Sequence, residues 1–134
     1  MDIEDQVISV ELAKKLKEIG VEQESLFYWR VWNDGTVDCA IGYEDYDFSG
    51  VGRKIVERIS AFTVAELMEQ LPAVIETKAG RYRLTIEKYE HLWCVSYIGT
   101  AGDALETILN KKLADALGEM WIWLIERGYV EVEE

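Results

Sequence analysis

Apolar positions recur at helical spacing over residues 10–19. Leu12, Ala13, Leu16 and Ile19 form one stripe, while Lys14, Lys15 and Lys17 line the other side. The spacing predicts an amphipathic helix with Ser9 as its N-cap and Gly20 as its left-handed C-terminal stop. From residue 26 the chemistry changes. Residues 26–32 are aromatic and β-branched, Asn33-Asp34-Gly35 is a turn, and residues 36–42 return, which predicts a β-hairpin. A three-residue loop with Gly35 left-handed sets Trp32 against Thr36, Arg30 against Asp38 and Tyr28 against Ala40. It also gathers Phe27, Trp29, Val31, Val37, Cys39 and Ile41 on the opposite face. A two-residue turn would mix the faces, and a one-step slip moves every side chain across the sheet, so the three-residue loop is expected.

Residues 44–52 read as an acidic, aromatic loop. Residues 53–59 fit a strand or a short helix, and their β-branched content leans toward strand. Thr63-Val64-Ala65-Glu66 is a capping box, with Phe62 placed to staple onto Leu67, and Pro72 ends the helix that it starts. Three strands are expected at residues 73–77, 81–88 and 92–98. The middle one turns Tyr82, Leu84 and Ile86 inward and Arg81, Arg83, Thr85 and Glu87 outward. Residues 92–98 are apolar on both parities, as suits a central strand covered on two sides. Leu113, Leu117, Met120, Trp121, Leu124 and Ile125 then predict a closing helix, ended by Gly128. The order α-β-β-(β)-α-β-β-β-α describes an α+β fold, an antiparallel sheet of about five strands packed by two to three helices.

The chain has 134 residues, 49% apolar and 30% charged, with one proline and no Gly/Ser-rich linker or repeat. This fits a single domain spanning residues 1–134 with its own core. No apolar run reaches the ~20 residues of a membrane span, and the N-terminus lacks a basic signal-peptide start, so a cytoplasmic protein is expected. Acids outnumber bases 26 to 14, a net charge of −12. Binding duplex nucleic acid through its phosphates is therefore not expected, because that binding rests on clustered Lys and Arg. The charge is read as a solvating surface, or as one that docks on a basic partner. Its local concentrations are Glu44-Asp45-Tyr46-Asp47 and Glu131-Val132-Glu133-Glu134.

Catalytic patterns are sparse. Cys39 and Cys94 sit in strand-like runs without metal-ligand spacing, and read as buried free thiols. His91, the single histidine, sits beside Glu90 in an expected hairpin turn, where a solvated residue outweighs a general base. Gly50-Val51-Gly52-Arg53-Lys54 falls short of a phosphate-binding loop motif, yet it can present N–H groups and two cations to a phosphate. Glu44, Asp45 and Asp47 lack the spacing of a calcium loop. No catalytic residue, metal or cofactor is assigned, and an enzyme is the weaker class.

Binding is the stronger one. Five Trp and seven Tyr exceed what a modest core uses. Trp29, Trp93 and Trp121 have core positions, whereas Tyr28 and Trp32 share a hairpin face with Arg30 and Asp38. Flat aromatics beside arginine stack nucleobases or anchor partners; the alternative is that a helix simply covers this face. Arg81 and Arg83 form a second basic patch, or a solvated strand face. The candidate ligand-binding residues are Tyr28, Arg30, Trp32, Arg53, Lys54, Arg81 and Arg83.

Residues 61–72 (AFTVAELMEQLP) and 113–128 (LADALGEMWIWLIERG), with residues 22–29 upstream, resemble a family of small accessory proteins of bacteriophages and prophages of the Bacillus type. The matching positions are helix caps and core residues, so no catalytic residue carries over. The resemblance implies a non-enzymatic, homo-oligomeric phage protein acting inside an infected bacterium. Such a protein is expected to counter host defence by sequestering a cyclic-nucleotide signal. The alternatives are an acidic inhibitor of a host defence protein and a structural or regulatory accessory protein.

Overall fold

The computed structural model describes residues 2–42 and 44–132, so Glu133 and Glu134 of the acidic tail lie outside the described residues. The fold is α+β, with seven strands in two antiparallel sheets and four helices among the described residues. The chain divides into two compact units at Thr63/Val64, with Val132 grouped with the first.

The first unit runs through α1 (Ile3–Gln6), α2 (Val10–Glu18), β1 (Phe27–Trp32), β2 (Val37–Ile41) and β3 (Ile55–Ala61). Its sheet has the order β2-β1-β3. Ser9 occupies the N-cap of α2. Gly20 at φ +96° ends the helix, and the Val21 N–H donates to the Leu16 carbonyl at 3.0 Å, the closure of a left-handed cap. The hairpin takes the register read from its side chains, with Arg30 opposite Asp38 and Tyr28 opposite Ala40. Gly35 takes φ +88°, and the Trp32 N–H donates to the Thr36 carbonyl. Residues 55–61 are a strand, as their β-branched content leans. Helix α2 packs on β3, and the Trp29 indole N–H donates to the Ile8 carbonyl at 2.9 Å. Ile8, Leu16 and Ile59 are fully buried in this core.

The second unit runs through α3 (Val64–Gln70), β4 (Val74–Thr77), β5 (Gly80–Lys88), β6 (Trp93–Gly99), β7 (Ala104–Asn110) and α4 (Leu113–Glu126). Its strands lie in sequence order, a meander in which β6 is central, as its two-sided apolarity requires. Strand β7 is an element the sequence pattern did not announce. It carries a bulge opposite Tyr97/Ile98, so its apolar residues keep no simple alternation. Helix α4 packs on β6, β7 and α3, and buries Leu117, Met120 and Leu124 completely. Its C-terminus closes as expected at Gly128, φ +78°, with the Tyr129 N–H on the Leu124 carbonyl. No helix of the described residues is long and apolar enough to cross a membrane.

Candidate functional site

The first-unit hairpin face holds Tyr28, Arg30 and Trp32, and all three are buried, at 4%, 2% and 1% exposure. The open stacking face expected from the sequence is therefore a covered one. The loop that follows β2 lies over Arg30 and Trp32, whereas Tyr28 is met by the segment after α2. Arg30 places Nε and Nη2 on the two oxygens of Asp38, each at 2.8 Å. Its Nη1 donates to the carbonyls of Glu44 and Tyr46 at 3.1 and 2.9 Å, which draws the loop onto the sheet. The Trp32 indole N–H donates to Asp38 Oδ1 at 3.0 Å. The Tyr28 hydroxyl donates to the Gln23 carbonyl at 3.1 Å. These polar groups serve internal partners.

Arg53 is spent in the same way. Its guanidinium carbon lies 4.4 Å from the centre of the Trp32 ring, and that of Arg30 lies 4.7 Å away. One indole thus meets two cations, each a favourable contact with the ring's negative face. Arg53 also donates from Nε and Nη2 to Asp47 Oδ1, and from Nη1 to the Thr36 hydroxyl. Asp47 Oδ2 accepts the Arg53 backbone N–H at 2.7 Å, and Oδ1 accepts the Ser49 N–H at 2.9 Å. The phosphate-cradle reading of residues 50–54 fails for this reason: the loop's own carboxylate occupies donors that an incoming phosphate would need.

The electrostatics agree with that reading. The hydrogen bonds from Arg53 and Ser49 hold the Asp47 carboxyl far below its ordinary value, and Asp47 in turn raises the Arg53 guanidinium. Burial pushes the Asp38 carboxyl up, but hydrogen bonds from Arg30 and Trp32 outweigh it and leave the group lowered. The Thr36 hydroxyl and N–H lower Asp34, which lies 3.9 Å from Arg53. Two guanidiniums facing three carboxylates leave no positive surplus for an anion. Lys54 is exposed beside this network, with its backbone held to Asn33.

The remaining two candidates, Arg81 and Arg83, stand on β5 in the second unit. With Thr85 they form the row at period two that the sequence predicts. Arg83 lies opposite Ile98 of β6, and together with Gly99 and Thr100 these residues line an open depression of about 290 Å³. Both arginines are exposed, and Arg81 has Glu76 at 3.5 Å as a solvent-screened partner. On the opposite face, where Gly99 pairs with buried Tyr82, a Cβ on Gly99 would fall 2.6 Å from Asp103 Oδ1. Asp103 accepts the Tyr82 hydroxyl at 3.0 Å and thereby raises the tyrosine pKa.

The depression can hold an anion between two guanidiniums, with threonine hydroxyls at its margin and Ile98 as an apolar contact. None of its lining residues is aromatic. Thr85, Ile98, Gly99 and Thr100 were not among the sequence-based candidates. Thr85 was within reach of that reasoning, two positions from Arg83 on the outward face, whereas Thr100 enters through residues 99–103, which the sequence reads as a loop but does not place beside Arg83. His91 is exposed in its turn. Among the described residues no group of His, Cys, Asp and Glu side chains is arranged to hold a metal ion. Comparison of the chain with family models, with curated proteins and with solved structures finds no match.

Proposed function

We propose that this chain is a non-enzymatic binding protein that holds a small phosphate-bearing ligand against Arg81 and Arg83. One observation carries the reading: two exposed guanidiniums and two threonines line a single depression, and among the described residues only one of those guanidiniums has a carboxylate beside it. Planar guanidinium forks match phosphate oxygens in pairs. The lack of an aromatic wall makes the phosphate end of the ligand, not its base, the part recognised. Within the phage context that the sequence resemblance implies, the ligand class is a nucleotide immune signal, and the protein acts as its sponge.

The test is a thermal-shift and calorimetric titration with cyclic di- and trinucleotides and ADP-ribose derivatives. A ligand bound by the native state alone stabilises it by RT ln(1 + [L]/Kd), about 2.7 kcal/mol at 100 Kd. A saturable shift is expected with at least one member, and Arg83→Ala is expected to weaken it about tenfold or more. No saturable shift across the panel, or one indifferent to Arg83→Ala, refutes the reading.

A second reading has its own support. The loop over β1 exposes Tyr46, Phe48 and Val51 at 61%, 74% and 75%, beside exposed Glu44 and Asp45. Aromatic anchors ringed by acids suit a basic host protein, as an acidic inhibitor requires. Salt-sensitive complex formation that Phe48→Ser abolishes, together with no nucleotide binding, would favour this alternative.

A further inference from the structure

The sheet of the second unit turns one face to α4. Asn110 and Tyr97 stand on that face, where the Asn110 amide donates to Glu119 of α4 at 3.3 Å and the Tyr97 hydroxyl donates to the Pro72 carbonyl. The other face, which carries Arg81 and Arg83, holds a row of hydroxyls. Thr85 lies opposite Ser96 and Ser96 opposite Thr107, so three side chains cross β5, β6 and β7 at one level. Thr85 also lines the arginine depression, so the row starts where that depression ends. Around the row the face is open, with Arg83, Glu87 and Thr107 exposed and Leu109 54% exposed.

These hydroxyls are ordered in one direction. Ser96 is 4% exposed, in the middle of β6, where a hydroxyl costs stability unless it is bonded. Its Oγ donates to the Thr107 hydroxyl at 3.3 Å. Of the two thiols expected to be buried, Cys39 is half-buried and Cys94 is buried, with its Sγ 3.3 Å from Ser96 Oγ. Because the Ser96 proton goes to Thr107, the Cys94 thiol donates to Ser96. The Thr107 proton then points away from Ser96, and among the described residues no acceptor meets it. Thr85 is arranged the other way. Its hydroxyl proton is spent on the Arg83 carbonyl at 3.3 Å, which leaves its oxygen to accept. One end of the row offers a donor and the other an acceptor. A phosphate dianion can only accept, whereas a sugar hydroxyl donates and accepts at once.

We propose, on the phosphate reading of Arg81 and Arg83, that the ligand is a sugar phosphate. Its phosphate lies between the two guanidiniums, and the hydroxyls of its sugar lie across Thr85 and Thr107, with Ser96 orienting Thr107 from behind. The spacing fits. Arg83 and Thr85 are two residues apart on one strand, about 7 Å, and Thr85 and Thr107 are two strands apart, about 10 Å, the span of two hydrogen bonds with the edge of a sugar between them. Glu87 sets the far limit. It is the next outward residue of β5 beyond Thr85, and it is exposed. A second phosphate at that end would meet its carboxylate, so the sugar end is uncharged.

Titration calorimetry of the full chain with methyl phosphate and with ribose 5-phosphate separates the two parts, because both probes carry the same phosphomonoester. Ribose 5-phosphate is expected to bind at least about tenfold more tightly. Thr107→Val and Thr85→Val keep the side-chain shape and remove the hydroxyl. Each is expected to remove most of that advantage while far-UV circular dichroism is unchanged, and if one fails to fold the other gives the same answer. Arg83→Ala is expected to weaken both probes about tenfold or more. The sugar subsite is overturned, with the phosphate reading left standing, if Arg83-dependent binding is no tighter for ribose 5-phosphate than for methyl phosphate. It is overturned equally if the advantage survives both valine variants. If neither probe binds in an Arg83-dependent way, the phosphate reading falls and the sugar subsite with it.

Discussion

Replacing Asp38 by Ala removes the carboxylate that holds Arg30 while leaving the guanidinium in place at 2% exposure. Breaking one side of a buried ion pair costs about 3–5 kcal/mol, because the surviving charge is stranded away from water. Two features lower that figure. The Asp38 side chain is 36% exposed, so water screens part of the pair, and Arg30 keeps the Glu44 and Tyr46 carbonyls. One raises it, since the buried Trp32 N–H loses its acceptor, a loss of about 1 kcal/mol. The expected cost is about 3 kcal/mol, or about 10 °C in Tm at this size.

Urea unfolding of Asp38→Ala, Arg30→Met and the double variant measures it. Methionine fills similar space without a charge, so the double variant should recover much of the loss, with a coupling of about 1.5 kcal/mol or more. Additive losses, or an Asp38→Ala cost below about 1 kcal/mol, would refute the reasoning that burial makes this pair matter. The pH dependence has a definite sign. Asp38 is lowered from 3.8 in the folded state, so its contribution is complete above that value and fades as the pH falls through the folded one.

Asp47 and Tyr97 carry the remaining predictions. Asp47→Asn should release the 44–53 loop with little change in global stability, read as faster chymotrypsin cleavage at exposed Tyr46 or Phe48; an unchanged rate refutes the pinning role. Because Asp47 is strongly lowered, the native loop should stay protected as pH falls through the ordinary carboxylate range and open only in stronger acid. Tyr97 is fully buried and its hydroxyl donates to the Pro72 carbonyl at 2.7 Å, so Tyr97→Phe should cost about 1–2 kcal/mol in urea unfolding. Burial raises Tyr97 above the ordinary tyrosine value of 10.0, so native stability should decline as pH rises past that value, and less steeply in the phenylalanine variant.

The elements whose identity rests on local chemistry were legible in the sequence. The hairpin register followed from keeping two chemically distinct faces apart, and α2 and α4 followed from their stripes and terminal glycines. Strand β7 was not legible, because its pairing to β6 is a tertiary fact and its bulge breaks the alternation that would reveal it. The two arginine sites divide along the same line. Arg81 and Arg83 keep their predicted outward face, because alternation along β5 is enough to place them. The burial of Trp32 depends on the loop at residues 44–53 folding back, and periodicity carries no record of that. A signal was present all the same. Asp47, placed before the Gly-Val-Gly turn that returns to Arg53, makes a charge pair that only a fold-back closes.

That allocation of cations constrains what the remaining ones can hold. With 26 acids against 14 bases, each arginine satisfied internally leaves fewer to face an anion, and Arg30 and Arg53 are both satisfied. Over distances beyond the Debye length of about 8 Å at physiological salt, an approaching polyanion meets the acidic field of the whole chain only weakly. In contact it would run past Arg81 and Arg83 toward exposed Glu76 and Glu87, where repulsion is not screened away. A compact phosphate avoids that cost, because its charge ends where the two guanidiniums end. On the proposed reading, the same arrangement would disfavour duplex nucleic acid and favour a small ligand, with selectivity set by the length of the anion before any base is read.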